Sequence, residues 1–316
     1  MKRRTFIKIA ASGTLAAGIG LPLFSHSKTG VRDKWGELLP LNDFGSTGKK
    51  VTMLGLGGFH IGRMSERDAQ ATIETAIAGG IRFFDAAYSY VGGQNERHYG
   101  KLLIPKYRDE IFLMTKTTAR DGKRAQQELD ESMSRMNTDY LDLYQVHNVR
   151  TNEDLDKAFG KDGAVKALEK LRDEGVIRFL GLTGHSNSGI LLRGIREYPF
   201  DTLLMTLNAG DIHYDPFQEK LLKEAVKMEM GIIAMKVTAT GRIFHKDGLT
   251  SMKQALGYVL SFPVSNAIIS ISEVDEVDEN TRVAANFEPL GSVELKELEE
   301  LVKPNKAEAN YFKIHW

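Results

Sequence analysis

The chain has 316 residues, 42% of them hydrophobic and 27% charged, a globular balance whose length suits one large barrel or two medium domains. A formal net charge of zero leaves no basic surplus for nucleic acid. The absence of cysteine excludes disulfides, thiolate metal sites and a lipid-modified N-terminal cysteine.

In chain order, KRRTFIK (Lys2 to Lys8) precedes a weakly apolar, Gly- and Ala-rich run from Ile9 to Leu23 and then Ser25-His26-Ser27. Paired arginines, a hydrophobic stretch too short for a membrane span and small residues at cleavage positions predict an export signal over residues 1–27. Arg3, Arg4, Phe6 and Lys8 resemble the twin-arginine type, with Lys2 where Ser or Asp is commoner. That resemblance implies passage through the twin-arginine translocase, a periplasmic location and no stable membrane span after cleavage. The plainer alternative is a basic, amphipathic first helix. Removing residues 1–27 takes away four basic residues and no acid, leaving a mildly acidic chain.

Residues 28–39 read as a polar, poorly patterned connector, and residues 40–316 as one domain. Leu41 to Phe44 and Val51 to Leu54 form a predicted hairpin around the turn Gly45-Ser46-Thr47-Gly48. The glycine-rich Leu54 to Gly58 reads as a first barrel strand that a ligand can approach closely. Apolar strands follow at 81–85, 111–116, 141–147, 178–184, 202–208, 232–236 and 267–272, each alternating with a segment of helical period. Strands that are apolar throughout have both faces covered. Eight βα units predict a closed (β/α)₈ TIM barrel, an α/β fold, with an N-terminal β-hairpin and a charged helix (Val293 to Val302) plus a short tail appended. No Gly-x-Gly-x-x-Gly follows the first strand, which weakens a doubly wound dinucleotide-binding alternative.

Barrel chemistry sits at the C-terminal strand ends. Strand two ends at Asp85, strand three at Lys116 and strand four at His147, with Tyr90 five positions beyond the first acid. This ordered set, in the contexts FDAAYSY, TK and QVHN, resembles the catalytic tetrad of the aldo-keto reductases. The resemblance covers roughly residues 40–285, includes a hairpin plugging the barrel floor, and selects Tyr90 over Tyr88. It implies hydride transfer between NAD(P)(H) and a small carbonyl or alcohol substrate, a sugar among the candidates. Tyr90 is then the general acid, Lys116 the cation expected to lower its pKa, Asp85 the partner that fixes the lysine, and His147 the group that polarises the carbonyl. No metal is required. Glu96 and Gly100 match the family too, with Glu96 read as a structural first-turn acid.

The implied cofactor residues depart from the family pattern. Either Thr183 or the pair Ser186-Asn187 takes the place of a Ser-Asn pair after strand five. The glutamine of strand six falls on Leu204, leaving Asn208 as the polar end. The aromatic that stacks on nicotinamide falls on Met235, beside Lys236. Ahead of Glu279-Asn280, the Lys and Arg that many members offer a 2′-phosphate fall on Ser270 and Glu276, which favours NAD over NADP on charge grounds. The loop Val237 to Gly248 and the tail aromatics Tyr311, Phe312 and Trp316 are candidate covers for a retained cofactor, while the tail also reads as simple packing. Two alternatives stand beside the reductase reading: cofactor-retaining sugar chemistry of the epimerase type, and a non-catalytic ligand-binding barrel.

Overall fold

The computed structural model describes residues 30–315; the export signal expected over residues 1–27, and Trp316 of the tail, lie outside the described residues. Two small antiparallel ribbons come first. Strands β1 (Arg32–Asp33) and β2 (Gly36–Glu37) pair within the segment that the sequence marks as an unpatterned connector. An ion pair rather than a hydrophobic pattern holds this ribbon. Asp33 accepts from Arg82 Nε at 2.6 Å and from Nη2 at 2.9 Å. Gly80 (φ +87°) lets the ribbon pass, since a Cβ there would lie 2.6 Å from the Leu39 nitrogen.

The expected hairpin forms from β3 (Leu41–Asp43) and β4 (Lys50–Thr52), turning through Gly45–Thr47 with Gly48 left-handed at φ +72°. Its Phe44 is fully buried and meets the rings of Phe83 and Phe112 edge-on at 6.1 and 5.3 Å. It belongs to an inner cluster with Met114, Leu143, Leu204, Ile233 and Ile268, so the hairpin plugs the barrel with apolar surface.

Eight parallel strands close the barrel: β5 (Leu54–Gly57), β6 (Phe83–Asp85), β7 (Phe112–Thr117), β8 (Leu141–Val146), β9 (Ile177–Thr183), β10 (Thr202–Thr206), β11 (Gly231–Met235) and β12 (Asn266–Ile269). They lie in chain order around the ring, with β12 pairing back to β5. The outer helices start at side-chain caps where the sequence offers them. Ser65, Asp121 and Ser251 each accept from a backbone N–H in the first turn, and Thr151 forms a capping box with Asp154. That box opens a helix, Asn152–Phe159, that the sequence pattern had passed over.

After β6 the expected helix is broken into Gln94–His98, a π turn over Tyr99–Leu103 and Ile104–Tyr107. Gly100 sits in that π turn, where an added Cβ would lie 2.2 Å from the Arg135 carbonyl oxygen. The charged helix Ser292–Val302 leads to a tail that is also helical, Lys306–Ala309 and Tyr311–His315. Lys313 fixes the tail to the loop after β10. Its Nζ lies 2.5 Å from Asp211 Oδ1, with neither side chain exposed, and it donates to the Tyr214 carbonyl at 2.6 Å. Among the described residues no helix is long and apolar enough to cross a membrane.

Candidate active site

The register of the barrel sets Asp85 beside Met114 and Lys116 beside Gln145, so the polar ends of β6 and β7 come up side by side. Lys116 is fully buried and reaches three oxygens. It ion-pairs with Asp85, donates to the Ala86 carbonyl at 2.7 Å, and donates to the Tyr90 hydroxyl at 3.3 Å. A left-handed run, Val91 (φ +49°), Gly92 (+60°) and Gly93 (+81°), turns the chain just beyond Tyr90 and folds its ring over the lysine, 4.7 Å from Nζ. His147, one residue past β8, meets the Tyr90 ring edge-on at 5.8 Å.

Tyr88, the competing tyrosine, points elsewhere. Its hydroxyl donates to Glu131 at 2.8 Å and accepts from Arg124 at 2.8 Å on the outer surface. Glu96 is structural as expected, buried between Thr115 (2.7 Å) and Arg135 (3.0 Å).

Burial dominates the electrostatics. It pushes the Asp85 carboxyl up and the Lys116 ammonium down, their mutual attraction opposing both. The Tyr90 hydroxyl is held well above its ordinary range by burial and then by the Asp85 charge. This corrects the expectation that Lys116 lowers it. Burial outweighs the pull of a cation 3.3 Å away, so Tyr90 stays a neutral proton donor at rest. His147 is pushed well below its usual value, first by burial and then by Lys116, and stands neutral.

Asp85, Tyr90 and His147 line a cavity of about 540 Å³, with Lys116 fully buried behind them. Of the expected cofactor residues, Met235, Lys236 and Ser270 line it. Burial and Lys116 bring Lys236 down to about 8, against the pull of Asp85. The others are placed differently. Thr183 ends β9 fully buried, and Asn187 caps the helix Ser188–Glu197 by accepting from Ile190 N at 3.1 Å. Asn208 braces two backbones, donating to the Lys236 carbonyl at 3.2 Å and accepting from Gly210 N at 2.8 Å. Glu276 accepts from Ser272 N at 2.6 Å and Glu273 N at 3.3 Å, closing the turn before the helix Asp275–Ala285. In that helix Glu279 is exposed and Asn280 buried.

Sequence reasoning missed His60 and Arg63 beyond β5, Arg150 beyond β8 and His185 beyond β9, all lining the cavity. Phe312 backs it, with His185 edge-on at 6.1 Å and Lys236 Nζ 5.8 Å above its ring. Burial, with Lys236 and Arg150 nearby, takes His185 down to about 3. Strand-end position alone could have flagged His185 and Arg150.

A dinucleotide fits this arrangement. A second cavity of about 340 Å³, between Arg63–Asp68 and Ser272–Val274, shares His60 and Arg63 with the first, so together they accept an extended ligand. Buried polar atoms without hydrogen-bond partners stand at Ser186 Oγ beyond β9, at His60 Nδ1 where the cavities meet, and at Asn280 Oδ1 in the helix after β12. Such atoms call for ligand or water.

Comparison with known proteins agrees with this geometry. Residues 53–253 match the aldo/keto reductase family model. An L-galactose dehydrogenase of Arabidopsis thaliana is 28% identical over 310 residues, 85% of this chain and 96% of that one. A D-threo-aldose 1-dehydrogenase of a Pseudomonas species is 29% identical over 238 residues, 64% of this chain and 70% of that one. The holo form of an aldo-keto reductase from Bacillus halodurans superimposes with a TM-score of 0.70 at 21% identity, over 84% of this chain and 96% of that one, a likeness of fold. With the family match running from β5 into the helix after β11, the chain belongs to the aldo/keto reductase family of NAD(P)(H)-dependent oxidoreductases.

Proposed function

We propose that the protein moves a hydride between a nicotinamide dinucleotide and the carbonyl or hydroxyl carbon of a sugar, with Tyr90 as the proton donor and acceptor. The observation that carries this reading is the Tyr90 hydroxyl held 3.3 Å from a buried Lys116 that Asp85 fixes. When bound, the dinucleotide supplies or accepts the hydride. As a carbonyl is reduced, the Tyr90 hydroxyl gives its proton to the developing alkoxide. Lys116 stabilises the phenolate left behind, and a solvent proton restores it. Neutral His147 orients the carbonyl oxygen by hydrogen bonding, without the charge that burial makes costly.

The sugar assignment draws support from the two relatives named as sugar dehydrogenases. Export through the twin-arginine pathway, read from residues 1–27, implies folding before transport. A dinucleotide enzyme would then leave the cytoplasm with its cofactor in place. One structural feature favours this cofactor-retaining form. The loop after β11 and the tail are fastened together: Arg242 ion-pairs with Glu308, lies 4.1 Å over the Tyr311 ring, and accepts at its carbonyl from Asn305 at 2.9 Å.

The decisive experiment is Tyr90→Phe, assayed with L-galactose and D-arabinose as hydride donors and with NAD and NADP. The expected loss of turnover is about 10²-fold or more. Dinucleotide affinity stays close to that of the unmodified protein, because the variant removes a transition-state contact only. Equal rates in the two proteins would remove Tyr90 from the reaction.

A further inference from the structure

The charges around the cavity are lopsided. Asp85 is the one acid among its described lining residues, and Lys116 holds it. Three cations line the same space: Arg63, Lys236 and Arg150. They fall on two arcs of the barrel. Arg63 and Lys236 follow β5 and β11, the two neighbours of β12, which Ser270 follows, on the side that runs into the second cavity. Arg150 follows β8, and in the ring order β8 lies across the barrel from β12. A dinucleotide reaching from one cavity to the other would offer its pyrophosphate to the first arc. Arg150 stands apart from it, on the same strand end as His147.

Arg150 is also built into place. The loop that carries it is tied to both neighbouring strands, His147 N donating to the Thr117 carbonyl at 2.8 Å and Val149 N to the Thr183 carbonyl at 2.9 Å. Arg120 braces it from below, donating to the His147 and Asn148 carbonyls at 3.0 and 3.2 Å while pairing with Asp154 at 3.0 Å. Asp154 in turn accepts from Arg150 N at 2.9 Å. Asn148 is left-handed (φ +55°), a conformation that Asn tolerates better than most residues. In the amide orientation that satisfies both groups, its carbonyl oxygen accepts from Arg150 Nε at 3.1 Å and Nη2 at 2.9 Å.

The guanidinium is therefore oriented by a neutral partner, and no ion pair among the described residues neutralises it. A fixed, exposed guanidinium fork with its charge unspent, at the edge of a reaction cavity, is suited to a planar or tetrahedral oxyanion.

We propose that Arg150 anchors an anionic group, a carboxylate or a phosphate, on the substrate, so that the enzyme selects acidic sugars over neutral ones. The proposal rests on the sugar oxidoreductase reading for the presence of a substrate in this cavity. His185, on the adjacent strand end, is neutral and adds no competing charge. Lys236 lies on the cofactor arc and supports the anion only through the general field.

The test is equilibrium binding to the cofactor-loaded protein at low salt, with D-glucuronate, D-glucose 6-phosphate and D-glucose as probes. At least one anion is expected to bind tenfold or more tightly than glucose, and the one that does identifies the anion as carboxylate or phosphate. Arg150→Gln should bring that ratio close to one, whereas Arg150→Lys should keep part of it, a point charge replacing the fork. Equal affinities for charged and neutral sugars in the unmodified protein, binding of none of the three, or a ratio that survives Arg150→Gln would each overturn the proposal. So would a tenfold fall in dinucleotide affinity in Arg150→Gln, which would give the guanidinium to the cofactor. Arg150-dependent binding without hydride transfer to or from any sugar, L-galactose and D-arabinose included, would leave the anchor standing and refute the sugar reading instead.

Discussion

Lys236 lines the cavity on the side proposed for the dinucleotide. With its amine brought down to about 8, it is mostly cationic at pH 7 and mostly neutral at pH 9. A bound anion favours the protonated form, so dinucleotide affinity is greatest below about pH 8 and declines as the pH rises through it, by about tenfold between pH 7 and 9. Lys236→Met keeps the length of the side chain, and titrations at the two pH values should show weaker binding with that dependence flattened. An unchanged dependence would assign the titration to another group. The four proposed catalytic positions were legible because each is a polar residue ending or following an apolar strand. Asn187 and Asn208 carry amides that suit a carboxamide, and the same chemistry suits the helix cap and the turn that they make here. The Tyr90 hydroxyl departs from expectation for another reason: the nearby cation is visible in a sequence, but the depth of burial is not.

Among the elements, the turn between β12 and the helix Asp275–Ala285 bears on which dinucleotide binds. Glu276 holds that turn by accepting from Ser272 and Glu273 nitrogens, and Ser272 and Glu273 line the second cavity. A 2′-phosphate brought here meets carboxylates rather than cations, Arg63 aside. NADH is expected to bind more tightly than NADPH by about tenfold, and Glu276→Arg to narrow or invert the preference. Because Arg cannot accept from the two nitrogens, Glu276→Gln is the control that keeps an acceptor while removing the charge. Side-by-side fluorescence titrations decide the matter, and an NADPH preference in the unmodified protein would refute it. Strand and helix order was readable from the alternation of apolar runs and helical period. The ribbon β1–β2 was not, because two-residue strands carry no period and this one depends on Arg82, forty-nine positions from Asp33. The π turn at Tyr99–Leu103 was equally hidden, since it answers to the backbone of another helix at Arg135.

For the whole molecule, the fastening of the β11 loop to the tail through Arg242 predicts slow exchange of the cofactor. Protein isolated in its native state should release about one equivalent of dinucleotide on denaturation, and Arg242→Ala should shorten its residence, chiefly through the off-rate. An empty native protein that binds added dinucleotide only weakly would refute retention. The buried pair of Lys313 and Asp211 has a separate consequence for how the barrel holds together. Asp211 is buried in the loop after β10, and its counter-charge comes from the tail helix, about a hundred positions later in the chain. Without that lysine the carboxylate would be buried unpaired, at a cost of about 3–5 kcal/mol. The loop after β10, and the Ser188 helix start that Asp215 of this loop holds at 2.8 Å, therefore depend on the tail being docked. The tail thus acts as a clasp on a distant loop, and Lys313→Met should lower the melting temperature and speed hydrogen exchange in that loop before the rest of the barrel opens.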